Sequence, residues 1–233
     1  MRTIAIGDIH GTQWWEKIVQ GETYDKAIFI GDYFDSFSVD GETQLRNFYR
    51  ITEFARDSGK KVILLMGNHE FHYMPEAGND AYSGYNARWA PHFMTTLQNN
   101  RDLLKPCHVD QGILYSHAGV TEAWLRRHKV RAATLKGIER AVCRLWETKP
   151  EVFRFYPGDW TGTGYHPLQG PLWVRPNTLL YEGVDLTQVV GHTPRVSVYH
   201  GGDCWFIDTM EYGDGSYLVV EDGTIKISNY TKS

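Results

Sequence analysis

Five times in this chain a short apolar run stops at a small residue and gives way to a cluster of Asp, Asn and His. Ile4-Ala5-Ile6 leads into Gly7-Asp8-Ile9-His10-Gly11, and Ala27-Ile28-Phe29-Ile30 into Gly31-Asp32-Tyr33-Phe34-Asp35. Val62 to Met66 leads into Gly67-Asn68-His69-Glu70, Ile113-Leu114-Tyr115 into Ser116-His117-Ala118-Gly119, and Gln188-Val189-Val190 into Gly191-His192-Thr193-Pro194. Short continuous apolar runs suit strands covered on both faces, where side chains pointing either way must be apolar. Between them, Trp14, Trp15, Ile18 and Val19, and then Leu45, Phe48, Tyr49, Thr52 and Ala55, recur at the three- and four-residue steps of amphipathic helices. The alternation predicts an α/β (mixed α+β) fold, a mainly parallel or mixed sheet covered by helices. Such sheets bind ligands beyond the carboxyl ends of their strands. All five polar clusters sit at that end of their run.

Farther along, Leu135, Ile138, Val142 and Leu145 mark one face of a helix, and Thr121 is placed to cap an earlier one. Residues 157–176 hold four Gly and four Pro, a loop long enough to expect a functional role. Trp205-Phe206-Ile207 predicts a strand, and Ser216 to Val220 joins Thr224 to Ser228 through the hairpin signal Glu221-Asp222-Gly223. Apolar residues make up 42% and charged residues 22%, which excludes a disordered chain. A net charge of −4 argues against broad nucleic-acid binding and against binding to membrane surfaces. No apolar run approaches the roughly 18 residues of a membrane span, and the first run is too short for a signal peptide. Three widely spaced cysteines, Cys107, Cys143 and Cys204, fit a reducing, cytoplasmic setting and are expected to be inert.

The polar clusters together supply Asp8, His10, Asp32, Asp35, Asn68, His69, His117 and His192. Imidazole and carboxylate donors with an amide oxygen suit Mn, Fe or Zn better than Ca or Mg, which prefer all-oxygen shells. Six ligand side chains exceed the need of one four-coordinate ion, whereas two ions sharing a bridging carboxylate use them all. Asp8 and His10, two apart on an extended segment, point to the same side. Two divalent ions outweigh two ligand aspartates, so the site attracts an anion, and a phosphate ester is the obvious one.

These five blocks, in this order from residue 7 to residue 194, resemble the signature of the calcineurin-like metallophosphoesterases. Glu70 after Asn68-His69, and Pro194 where nuclease-like branches carry a second His, make the chain similar to the phosphoprotein phosphatase branch. That branch includes bacterial and phage Ser/Thr phosphatases and symmetrical diadenosine tetraphosphatases. The resemblance implies a two-sheet β-sandwich flanked by helices, built as a single metallophosphoesterase domain over residues 1–233. It implies that Asp8, His10 and Asp32 hold a first divalent ion, and that Asn68, His117 and His192 hold a second. Asp32 would bridge, and the ions would be Mn, with Fe or Zn as alternatives. His69 would protonate the leaving oxygen, oriented by Asp35, and Arg175 in Leu172-Trp173-Val174-Arg175-Pro176 would bind phosphate together with Asn68. Family members usually carry Arg after the second aspartate of the second block; here that residue is Ser36, and a hydroxyl gives no bidentate charged clamp. Arg46 and Arg88 are candidate replacements.

The implied activity is hydrolysis of phosphomonoesters on proteins or small phosphates by metal-activated water. Cleavage of dinucleoside polyphosphates is the alternative, with Trp160, Tyr165 and His166 of the 157–176 loop facing substrate. A metal-free binding scaffold is disfavoured because every ligand position is kept. The aromatic group Tyr73, Tyr82, Tyr85, Trp89 and Phe93 is expected to pack a helix on the core rather than stack on a base. His72, His108, His128 and His200 are expected to be structural or on the surface.

Overall fold

A computed structural model of the chain describes residues 1–58, 61–78, 81–131 and 134–230. Two mixed sheets face each other. The first has six strands, β1 (Arg2–Ile6), β2 (Lys26–Phe29), β3 (Val62–Leu65), β4 (Leu104–Lys105), β10 (Ser216–Glu221) and β11 (Thr224–Asn229), in the order β11-β10-β1-β2-β3-β4. The second has five, β5 (Cys107–Asp110), β6 (Ile113–Ser116), β7 (Gln188–Val190), β8 (Tyr199–Gly201) and β9 (Cys204–Phe206), in the order β5-β6-β7-β9-β8. Strands β1 to β4 run parallel, as do β6, β7 and β9. The outer strands β10, β11, β5 and β8 are antiparallel to their neighbours.

The two-residue period of a strand explains the apolar runs. Ala5, Ile28, Ile30, Ile63 and Leu65 point into the space between the sheets, where they meet Tyr115, Val189, Ile207 and Leu218. Ile4, Ile6, Ala27, Phe29, Val62 and Leu64 point the other way, into the helical layer. That layer includes α1 (Trp14–Gly21), with Trp15 and Ile18 buried, and α2 (Gly41–Ser58), with Phe48, Ile51, Thr52 and Ala55 buried. Tyr49, expected on the apolar face of α2, lies exposed instead, its hydroxyl 2.9 Å from Thr96 Oγ1.

Beyond β3 come α3 (Asn68–Phe71) and α4 (Ala90–Asn99), and Tyr73 and Phe93 are buried in the core as expected of that aromatic group. The second sheet is covered by α5 (Glu122–Arg127) and α6 (Leu135–Thr148). Thr121 caps α5 by accepting the Trp124 N–H at 3.1 Å. Residues 157–175 form no helix or strand and lead into α7 (Pro176–Glu182). The β10–β11 hairpin turns at Asp222-Gly223, as its sequence predicts. No helix among the described residues is long and apolar enough to cross a membrane.

This topology decides where the chemistry sits. Strands β1, β2 and β3 are neighbours in one sheet, and β6 and β7 in the other. Their carboxyl ends carry all five polar clusters, which therefore meet at one rim of the sandwich.

Candidate metal centre and acid site

Backbone strain marks this rim. Seven non-glycine residues among those described have positive φ, and four of them are His10, Asp32, Asp35 and His192. Such conformations cost about 1–3 kcal/mol each and persist only where the surroundings enforce them. Close approach does so here. A Cβ on Gly191 would lie 1.7 Å from Asp8 Oδ1, and one on Gly67 would lie 2.1 Å from Asp32 Oδ1. The small residue ending each of these runs lets backbone pass directly against a carboxylate.

Three imidazoles are aimed by backbone carbonyls. His10 Nδ1–H donates to Phe34 O at 2.7 Å, His117 Nδ1–H to Ile30 O at 3.1 Å, and His192 Nε2–H to Trp173 O at 3.2 Å. Each ring is left with one bare nitrogen directed inward, the arrangement that orients metal-ligating histidines. His117 Nε2 and His192 Nδ1 lie 3.1 Å apart, and Asn68 Oδ1 is 2.8 Å from both. Asp32 Oδ2 stands 3.3 Å from His117 Nε2 and 3.7 Å from His10 Nε2, while its other oxygen accepts the His69 N–H at 3.0 Å. Asp32 is thus the shared member of two donor groups, His10–Asp32–His69 and Asp32–His117–His192, each within 4.8 Å.

Asp8 joins neither group. Its Oδ2 accepts the His192 N–H at 2.8 Å, and its Oδ1 is buried without a hydrogen-bond partner. Lone pairs of imidazole, amide and carboxylate converging at such distances repel one another unless a cation lies among them. Asp8 and Asp208 crowd the same place: burial and the Asp208 charge push Asp8 well above the carboxylate range, and burial with the Asp32 charge pushes Asp208 to about 7. Burial also holds His10 and His192 below the ordinary imidazole value, favouring the neutral, ligating form. Burial works against ionised Asp32, but the neighbouring imidazoles of His117, His69 and His10 outweigh it and keep the carboxyl well below its usual range. The donor set therefore fits divalent cations of the kind that accept nitrogen and oxygen together.

A second network lies beside this one. His69 Nδ1–H donates to Asp35 Oδ2 at 2.9 Å, and His69 Nε2 faces the cluster, 3.9 Å from Asp32 Oδ2. Burial opposes a charged His69, but Asp32 and Asp35 prevail and lift it to about 9. Asp35 is itself clamped. His72 Nε2–H donates to Asp35 Oδ2 at 2.6 Å, and the Tyr73 hydroxyl donates to Asp35 Oδ1. Burial alone would raise Asp35; the bonds from His69 and His72 hold it below its ordinary value. His72, expected to be structural or on the surface, is buried and bonded to Asp35. Its position three residues after His69, one helical turn on, is the signal that could have revealed it.

Glu70 builds the loop that carries Asp32. Its two carboxylate oxygens accept N–H groups from Asp32, Tyr33, Phe34 and Gly67 at 2.6–3.2 Å. Burial and the Asp32 charge push Glu70 up to about 8, against the pull of His69 and these donors. Glu70→Gln turns an amide NH2 toward two of the four N–H groups and leaves them unpaired. Unfolding in urea is expected to show a loss of about 2–5 kcal/mol, with the midpoint shifted and the slope unchanged.

Arg175 lies beside His192, its Nη1 donating to His192 O and to Thr193 Oγ1, both at 3.1 Å. Gly164 O accepts the Arg175 N–H at 3.2 Å, so the 157–176 loop is tied to this arginine. Trp160 and Tyr165 of that loop are 94% and 54% exposed. His166 serves the loop itself, accepting the Leu168 N–H at 3.0 Å and packing on Tyr156. Neither proposed stand-in for the missing arginine is placed in the network: Arg46 is exposed and 3.9 Å from Glu42, and Arg88 is exposed. At Ser36 itself the hydroxyl donates to Glu211 Oε1 at 2.6 Å.

Comparison with protein families matches calcineurin-like phosphoesterase over residues 1–220. The chain belongs to the calcineurin-like phosphoesterase family. The phosphoesterase fold is similar to that of a protein serine/threonine phosphatase from Saccharomyces cerevisiae, with 14% identity and a TM-score of 0.56 over 100% of this chain and 81% of that one. It is also similar to a metallophosphoesterase from Sphaerobacter thermophilus, with 15% identity and a TM-score of 0.51 over 99% of this chain and 88% of that one. No curated protein matches this phosphoesterase by sequence.

Proposed function

We propose that this phosphoesterase is a dimetal-dependent phosphatase that hydrolyses phosphomonoesters, on proteins or small molecules, with residues 1–233 acting as one domain. Asp8, His10 and Asp32 would hold one ion, and Asp32, Asn68, His117 and His192 the other, with Mn first and Fe or Zn as alternatives. When bound, two divalent ions neutralise a phosphate ester and lower the pKa of water from about 15.7 toward about 7. The observation that carries this reading is the inward convergence of bare His10, His117 and His192 nitrogens, each fixed from behind by a backbone carbonyl.

The chain's own groups complete the chemistry. Asn68 and Arg175 bind the phosphate from the His192 side, Arg175 with a guanidinium already oriented by Thr193. His69 Nε2–H donates its proton to the departing ester oxygen. Asp35 holds the opposite ring nitrogen, and His72 and Tyr73 hold Asp35, so the imidazole presents one nitrogen at one angle. A second substrate class, dinucleoside polyphosphates, is favoured by the exposed Trp160 and Tyr165 on the loop tied to Arg175.

The test is turnover of nitrophenyl phosphate, a phosphothreonine peptide and diadenosine tetraphosphate by Mn²⁺-loaded protein, with metal content measured on the same sample. Two ions per chain, and turnover abolished by a chelator and restored by Mn²⁺, are expected. Dinucleotide turnover with an idle peptide moves the substrate to the second class. Less than one ion per chain after loading, with no turnover, refutes the metal-dependent reading.

A further inference from the structure

The turn that follows Asp35 holds an acidic side chain, Glu211. Ser36 directly follows Asp35, and its hydroxyl donates to Glu211 Oε1; Ser38 Oγ donates to the same oxygen at 3.3 Å. The Ser36 oxygen also accepts the N–H groups of Ser38 and Val39 at 3.1 and 3.0 Å, so this turn is folded around its contact with Glu211. Glu211 lies three residues beyond Asp208, close enough for its charge to raise the proton affinity of His10 and Asp208. No cationic side chain among the described residues forms an ion pair with Glu211. Tyr212, next to Glu211 in sequence, is 60% exposed, and Phe37, between the two serines that hold the carboxylate, is 72% exposed.

A fixed carboxylate with exposed aromatic residues on the two segments that meet at it is chemistry for an organic cation, through charge-assisted hydrogen bonds and cation–π contact. The same carboxylate repels a phosphate dianion that brings no positive charge of its own. We propose that Glu211, held by Ser36 and Ser38 on segments that also carry the exposed Phe37 and Tyr212, selects substrates that carry an ammonium or guanidinium group beside the phosphate. This subsite rests on the phosphatase reading above and assigns its substrate class: a phosphoester with a neighbouring cation, oriented between Arg175 for the anion and Glu211 for the cation. The cation has two chemical sources, a basic residue beside a phosphorylated one and a small phosphoamine.

The test compares wild type with Glu211→Gln on matched substrates at low salt. One pair is a phosphothreonine peptide with Arg nearby and the same peptide with Gln in its place. The other is phosphoethanolamine against glycerol phosphate. Nitrophenyl phosphate is the reference without a cation. Wild type is expected to favour the cationic member of one pair about five- to tenfold in kcat/KM, chiefly through KM, and the pair that shows this names the source. In Glu211→Gln the preference disappears while nitrophenyl phosphate turnover rises, because a negative charge near the phosphate is gone. Phe37→Ala, which leaves the carboxylate in place, is expected to weaken the preference part-way. Equal turnover within both pairs by wild type, or the same change on all substrates in Glu211→Gln, overturns the subsite. Failure of wild type on every substrate overturns the phosphatase reading itself.

Discussion

Asp32→Asn is expected to abolish hydrolysis of every substrate and to leave the protein unable to hold two metal ions. Asp32 is shared between the His10 and His117–His192 donor groups, its Oδ2 lying 3.7 Å from His10 Nε2 and 3.3 Å from His117 Nε2, and its carboxyl is kept ionised by the imidazoles around it. An amide removes the charge. It also offers its oxygen either to the His69 N–H, where Asp32 Oδ1 now accepts at 3.0 Å, or to the cluster, not to both. Losing an outer-sphere partner of a metal ligand costs about 10–100-fold in affinity, so losing a shared ligand exceeds that. Three readouts follow. Metal content after Mn²⁺ loading falls from two ions to one or none. Added Mn²⁺ is expected to raise the Tm of the wild type, by binding the native state alone, and not that of the variant. Turnover of nitrophenyl phosphate drops to background. A variant that retained two ions and a tenth of wild-type turnover would show that Asp32 does not bridge.

The strands that carry the site were legible because their sequences answer to two buried faces at once. Ile4-Ala5-Ile6 sends Ile4 and Ile6 to the helices and Ala5 between the sheets, so no polar position interrupts the run. Of the strands lacking that constraint, β11 was legible only through its hairpin signal, and β8 and β5 were not. β8 lies at a sheet edge, with Tyr199 and His200 exposed. β5 reads Cys-His-Val-Asp, polar at alternate positions, because His108 is paired with Glu139 of α6 and Asp110 with Lys26 of β2. Those partners stand far away in sequence. The candidate site divides in the same way. Each block's donors were visible as a local cluster, but Asp208 was not, although Trp205-Phe206-Ile207 followed by Asp208 repeats the same theme. β9 runs parallel to β7, which brings Asp208 to the common rim; with no His or Asn beside it, one carboxylate after one short strand carried no signal. His72 sits three residues after His69, but the partner that gives it meaning is Asp35, 37 positions earlier. Glu211 had no local cue at all, since its meaning comes from serines 175 and 173 positions earlier.

His69→Asn is expected to divide substrates by their leaving groups. His69 donates Nδ1–H to Asp35, and its Nε2 lies 3.9 Å from Asp32 Oδ2, so the variant loses a proton donor and no proposed metal ligand. Metal content is expected to stay at two ions. Asp35 keeps its bonds from His72 and Tyr73, so the pocket does not collapse when the ring is removed. Alkyl phosphates and phosphothreonine, whose alkoxide must be protonated as it departs, should lose about 10²–10⁴-fold in kcat. Nitrophenyl phosphate, whose phenolate leaves without a proton, should change only a few-fold. The pH profile gives an independent check. The donor is present below the His69 pKa, which Asp32 and Asp35 raise to about 9 from 6.5 in the metal-free chain. Activity on alkyl phosphates therefore falls as pH rises through that value, and cations bound nearby bring the fall to lower pH. In His69→Asn this alkaline limb vanishes. The same raised pKa stabilises the folded metal-free chain fully below about 6.5, and that contribution is lost as pH rises toward about 9. The wild type should accordingly lose Tm across this interval relative to the variant. Equal slowing of alkyl and nitrophenyl substrates would remove His69 from the acid role and leave it a purely structural partner of Asp35.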